Sequence, residues 1–182
     1  MARCCHSHHR WVLLLRNGAG LAREKTLMRR PKTEYKLYIL MRNDLPSLNA
    51  GKAMAQAAHA ANALTAEWGD TDLVKDYSNK KHQFGTCIVL GVDKATLVAR
   101  LKKAQSLEWT IPWGSVVDET YPFNTNTEIA ALIPKSRMTA PPILKEEGRV
   151  VLFRRELTCG YVLVADGSND QKTLVSDLSL YQ

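Results

Sequence analysis

Apolar and polar positions alternate between two periods along residues 35–134. Tyr35-Lys36-Leu37-Tyr38-Ile39-Leu40-Met41 is rich in β-formers and predicts a strand. Arg42 to Ala50 is turn-rich, and Asn49 stands where a helix N-cap would be needed. The alanine-rich run Gly51 to Asn62 then predicts a helix. Lys52, Gln56 and His59 fall on one stripe of it, at i, i+4 and i+7. Met54, Ala57, Ala58, Ala61 and Leu64 lie mostly on the opposite side, where small residues let a helix sit close to a sheet. A short helical turn is expected around Asp72 to Asp76. Thr86 to Leu90 reads as a buried strand, and Asp93 as the cap of a helix from Lys94 to Ala104. Leu97, Val98, Leu101 and Ala104 form that helix's apolar stripe. A third strand is expected near Ser115-Val116-Val117, ending at Asp118. A fourth is expected over Thr127 to Ile133, stopped by Pro134.

Beyond that point the pattern changes. Ser136 to Pro142 reads as a linker. Val150 to Phe153 and Tyr161 to Val164 read as two strands joined through Cys159-Gly160, and Asp166 to Asp170 as a turn. Strands alternating with helices predict an α/β fold. The expected form is a single three-layer domain, with a mixed four-stranded sheet, flanking helices and a C-terminal β-rich extension. The expected organisation is a basic, disordered arm over residues 1–32, the main domain over 33–135 and the extension over 136–182. The extension is read as packing on the core, with a dimer or partner contact as the alternative.

At 182 residues the chain suits one domain with a proper core. The net charge of +7 suggests nucleic acid until it is located. Residues 1–36 carry nine Lys/Arg against two Glu, and the rest carries sixteen basic against sixteen acidic side chains. Any affinity of the body for RNA must therefore come from a local patch. The four cysteines, Cys4, Cys5, Cys87 and Cys159, do not form a disulfide framework and suit a reducing compartment. Cys4-Cys5-His6-Ser7-His8-His9 has metal-ligand residue types but spacing too crowded for a tetrahedral site. Trp11 to Leu15 is too short an apolar run for a secretory signal or a membrane span. An organelle presequence and a true start at Met28 both fit this arm.

The order strand, Arg-x-Asp-Leu, loop, Gly-Lys-x-x-Ala-Gln-x-x-His-Ala-Ala resembles the first strand and helix of the type 2 peptidyl-tRNA hydrolase family. Arg42, Asp44, Leu45, Gly51, Lys52, Ala55, Gln56, His59, Ala60 and Ala61 carry the resemblance. It is sharp over residues 35–65 and looser to about residue 134. It implies hydrolysis of the ester between a peptide and tRNA, recycling the tRNA, with no cofactor and no metal. Asp118 matches the family's strand-end aspartate, while Glu119-Thr120-Tyr121-Pro122 departs from the Ala-Gly-Arg-Thr that follows it there. Thr120 is the stand-in for the family's threonine, with Thr125 and Thr127 as alternatives. The expected catalytic set is Lys52, Gln56, His59, Asp118 and Thr120.

The chemistry of these side chains fits that reaction. Lys52 near a helix N-terminus supplies positive charge to a phosphate or an oxyanion. Gln56 orients water or substrate, and His59 either relays a proton or serves as a structural hydrogen-bonding group. The Lys52 ammonium is expected about 3–5 Å from the Asp118 carboxylate. Arg42, Lys80 and Lys81, with His82, are the expected tRNA-backbone contacts. Peptidyl-tRNA is the expected partner, in the cytoplasm and away from membranes, with a homodimer allowed. The alternative is a non-catalytic relative that binds RNA or a protein through the altered loop after Asp118.

Overall fold

A computed structural model describes residues 33–78, 85–107 and 111–182. Strand β1 (Tyr35–Arg42) is an interior strand of a mixed, open sheet. Helix α1 (Ala50–Trp68) follows, and the Asn49 side chain accepts from the Lys52 N–H, which fixes the helix start. Helix α2 (Asp72–Ser78) and strand β2 (Thr86–Val92) come next. Helix α3 (Lys94–Ser106) is capped by Asp93, as its sequence predicts. Strand β3 (Trp113–Asn126), helix α4 (Thr127–Leu132), strand β4 (Ala140–Leu144) and strand β5 (Arg149–Ala165) complete most of the chain. A four-residue helix α5 (Asn169–Lys172) and a two-residue strand β6 (Ser179–Leu180) close it.

The sheet runs β3-β5-β1-β2-β6, with β4 also paired to β5. Only β1 and β2 are parallel; the other pairings are antiparallel. Helices cover both faces. Leu37, Ile39 and Met41 of β1 pack with Ala53, Ala60 and Leu64 of α1 and Val74 of α2. Leu40 and its neighbours on the other face pack with Leu97 and Leu101 of α3 and with Leu174 and Val175 near the C-terminus. Alternation along β1 sends successive side chains to opposite layers.

The second half of the chain departs from the sequence reading in four ways. The expected fourth strand, Thr127 to Ile133, is helix α4. The Asn126 side chain accepts from the Ile129 N–H, a cap that the β-branched composition hides, and Ala130-Ala131-Leu132 are helix formers. The third strand does not end at Asp118 but continues to Asn126, with register breaks at Val116/Val117 and between Asp118 and Tyr121. The expected linker holds β4, paired to β5 despite Pro141 and Pro142, which an edge position tolerates.

The two expected C-terminal strands are one strand, β5. Gly160 lies inside it because the backbone there passes close to α3. A Cβ at Gly160 would fall 2.8 Å from Leu101 Cδ2. The glycine marks a close approach, not a joint. The sheet therefore has six strands rather than four. The segment expected as a β-rich extension supplies β5, inserted between β3 and β1.

Candidate active site

Gln56 faces the sheet from α1, at the level where both neighbouring strands are irregular. Pairing shifts from Val116↔Cys159 to Val117↔Leu157, leaving Thr158 of β5 without an opposite residue. That bulge turns Thr158 toward the helix. Its hydroxyl donates to Gln56 Oε1 at 2.8 Å, with the Val116 carbonyl a longer contact at 3.3 Å. The Gln56 Nε2 in turn donates to Asp118 Oδ2 at 3.2 Å. On β3, Glu119 and Thr120 face only Arg155 across the ladder, and the Thr120 N–H folds back to Asp118 Oδ1 at 2.9 Å. Thr158, Gln56 and Asp118 thus form one chain of hydrogen bonds. Thr158 is fully buried and Gln56 nearly so, whereas Asp118 is half-buried and opens to solvent.

This chain ends in a cleft of about 400 Å³ lined by Gln56, His59, Ser115, Val117, Asp118 and Glu119, among others. His59 is exposed at its lip, one helical turn beyond Gln56. Of the expected catalytic residues, Gln56, His59 and Asp118 share this cleft. Lys52 sits one turn earlier, and its ammonium lies 5.6 Å from the centre of the Tyr121 ring, a cation–π distance. The expected ion pair with Asp118 is absent: Lys52 and Asp118 form none among the described residues. Two residues after Asp118, Thr120 contributes its backbone N–H while its side chain is exposed. Thr158, not Thr120, brings a hydroxyl to Gln56.

Arg42 was expected to meet RNA, and it is turned inward. Its side chain is 5% exposed. It pairs with Asp44 through two nitrogens, and its Nη1 donates to Glu156 Oε1 and the Leu157 carbonyl, each at 2.9 Å. Glu156 also accepts from Lys94 Nζ at 3.0 Å and pairs with Arg154 at 3.0 Å. Burial pushes the Glu156 carboxyl up, but hydrogen bonds from Lys94 and Arg42 outweigh it and hold the group below the ordinary glutamate range. A guanidinium spent on these partners pins the end of β1 to β5 and has no free face for a phosphate. Arg42 serves the site's framework.

Lys80, Lys81 and His82 lie outside the described residues, as does the arm over residues 1–32 with its Cys/His tract. The sequence reading missed Thr158 and Glu156. Both lie on β5, roughly forty residues beyond Asp118 in the chain. The one signal available was a charged Arg-Arg-Glu interruption between two strand-like runs. Nothing in it says which helix the following threonine meets.

The described residues present an α/β domain with a small polar cleft at the meeting of α1, β3 and β5. Residues 35–145, more than half of the chain, match the family model described as Peptidyl-tRNA hydrolase PTH2. The chain belongs to that family. A search of the curated proteins finds no match. No helix among the described residues is long and apolar enough to cross a membrane. The family match ends before β5, so Glu156 and Thr158 come from outside the matched span.

Proposed function

We propose that this protein hydrolyses the ester joining a peptide to tRNA, and that Asp118 with Gln56 is the centre of the reaction. The single observation that supports this most is the buried Thr158–Gln56–Asp118 hydrogen-bond chain ending in an open polar cleft. The Asp118 carboxylate, which only accepts, draws the Nε2 end of the Gln56 amide toward itself, and the Thr158 hydroxyl anchors the oxygen end. Each Asp118 oxygen already accepts one hydrogen bond, and each retains a lone pair for a water. That water, held by Asp118, attacks the ester carbonyl, and Asp118 takes its proton. Charge then builds on the carbonyl oxygen; as that intermediate collapses, the bond to the ribose oxygen breaks and the leaving oxygen takes the proton held by Asp118. Lys52, in the first turn of α1, supplies a cation for the carbonyl oxygen or for the terminal phosphate of the tRNA. In this reading His59, exposed at the lip, meets the ribose hydroxyls of the leaving group.

Incubating the purified chain with an N-blocked, labelled aminoacyl-tRNA tests this directly. Release of the blocked amino acid, lost in Asp118→Asn, is the expected result. Salt-sensitive tRNA binding with no release would instead favour the non-catalytic relative.

A further inference from the structure

Beyond Asp118 the β3–β5 ribbon continues past the helical layers and carries α4 and β4 on it. Against this arm lies an apolar groove of about 560 Å³. Its floor is the buried pair Val150 and Leu152 of β5. Its walls come from Ala130 and Ala131 of α4 and from Pro142 and Leu144 of β4. Among the described residues six large hydrophobic side chains are exposed, and four of them, Ile129, Leu132, Ile143 and Leu144, belong to this arm. Leu132 is 82% and Leu144 is 74% exposed. Such a concentration of uncovered aliphatic surface marks a binding face rather than ordinary scatter.

The groove shares a face of the sheet with the candidate centre. Asp118 pairs with Glu156, Tyr121 with Arg154, Phe123 with Leu152 and Thr125 with Val150. Partners across a ladder share a face, and so do alternate residues of one strand. Residues 150, 152, 154 and 156 of β5 alternate on one face; the pairing breaks at Arg155, opposite Glu119 and Thr120, and resumes on the same face at Tyr121↔Arg154, so that face leads from Asp118 to the groove floor. Arg154 lies flat along that route, its guanidinium 4.6 Å from the Phe123 ring centre. Six residues of β5 separate the two ends, a span of about 20 Å, or about six extended residues of a bound peptide.

We propose that this groove holds the peptide half of the substrate, an extended stretch of apolar residues whose C-terminal ester sits at Asp118. This rests on the hydrolase reading and adds a subsite to it. The substrate has two chemically distinct halves, a polyanion and a peptide. The groove lining offers aliphatic carbon and one charge, Lys135, with no aromatic ring on which a base would stack. Nucleic acid finds little there, since its binding rests on phosphate pairing and base stacking. An apolar peptide finds the area it needs.

The test uses the full chain and two N-blocked peptidyl-tRNAs, one with three apolar residues and one with twelve. The longer peptide reaches the groove, and its kcat/KM should exceed that of the shorter by at least about tenfold, the discrimination that aliphatic contacts supply. In Leu144→Glu and Ala131→Glu, both at exposed positions of the groove wall, that ratio should fall toward one. Equal values for the two peptides in the wild type, or a ratio that survives both substitutions, would overturn the groove assignment. Sedimentation of the same proteins separates the competing occupant. A dimer that Leu144→Glu converts to monomer means a second copy fills the groove, and the proposal falls. If neither substrate is cleaved, the hydrolase reading fails by itself. Anisotropy of a labelled apolar twelve-residue peptide amide then decides the groove. Binding weakened at least about tenfold by Leu144→Glu supports a peptide site, and no binding overturns it.

Discussion

Replacing Thr158 by valine exchanges one hydroxyl for a methyl and leaves the side-chain volume almost unchanged. Thr158 is fully buried, and its Oγ1 lies 2.8 Å from Gln56 Oε1. Gln56 is itself only 7% exposed, so no water replaces the lost donor. A buried acceptor stripped of its partner costs about 1–3 kcal/mol. Taking about 2 kcal/mol, the unfolding midpoint should drop by about 4–8 °C for a domain of this size. The effect on turnover has a different origin. Without the hydroxyl the Gln56 oxygen loses its anchor on β5, and the amide is held only through its Nε2–Asp118 bond, free to swing about it. The water site is then displaced, and kcat should fall by at least about tenfold, equivalent to about 1.4 kcal/mol of barrier. Thr158→Ser restores the donor and should recover most of both losses. Thermal unfolding and release of an N-blocked amino acid from tRNA measure the two effects. A Thr158→Val protein with wild-type midpoint and wild-type kcat would refute the hydrogen-bond chain as the organiser of the site.

Asp118→Asn and Lys52→Ala should each lower kcat more than about tenfold while leaving far-ultraviolet circular dichroism unchanged, since the proposed mechanism uses the first charge as base and the second against the developing oxyanion. Unchanged turnover in either would remove that residue from the mechanism. Glu156→Gln should destabilise the fold by on the order of 3 kcal/mol at pH 7, because Arg42 is then buried without its full counter-charge. The wild-type Glu156 carboxyl is held below its unfolded value of about 4.3. Its contribution is therefore complete above that value and is lost as pH falls through the lower folded one. Urea midpoints of the two proteins should draw together progressively as pH falls below the unfolded value, and a gap unchanged down to about pH 2 would argue against the pairing. Gly114→Ala should cost about 1–3 kcal/mol. A Cβ there would sit 2.5 Å from the Tyr161 ring, whose hydroxyl is tied to Glu67 at 2.6 Å. A neutral urea midpoint would show the ring moving freely.

Local signals account for what the sequence revealed. Asn49 and Asp93 announce the starts of α1 and α3 because each cap bonds a backbone group three residues on. The stripe of Lys52, Gln56 and His59 follows from helix geometry alone. Asp118 was legible from its family motif and its strand. The rest depended on pairing between distant segments. Thr127 to Ile133 has strand composition, yet Asn126 caps it and the ribbon beneath leaves it on the surface as α4. Thr158 reads as an ordinary strand threonine until β5 is placed between β3 and β1. Arg42 reads as a free cation until Glu156 arrives from the same strand. Long-range register is not written in any short window of residues.

Strict alternation along β5 would not build this site. Thr158 and Cys159 are consecutive, and a regular strand points consecutive side chains to opposite faces. Here both reach Gln56: the Thr158 hydroxyl bonds its side-chain oxygen, and the Cys159 thiol lies 3.5 Å from its backbone carbonyl. The bulge at Thr158 makes that geometry available. Cys159 anchors the helix turn against the core, where burial pushes its thiol up to about 12 and keeps it from acting as a nucleophile. Thr158, one residue earlier, is freed from the ladder to orient the amide. The irregularity between Asp118 and Tyr121 on the opposing strand does the matching work, letting the Thr120 N–H fold onto Asp118. Two breaks in pairing at one level of the sheet thus aim a hydroxyl from β5 and a carboxylate from β3 at the same glutamine. Removing either break would restore a better ladder and lose the cleft's chemistry.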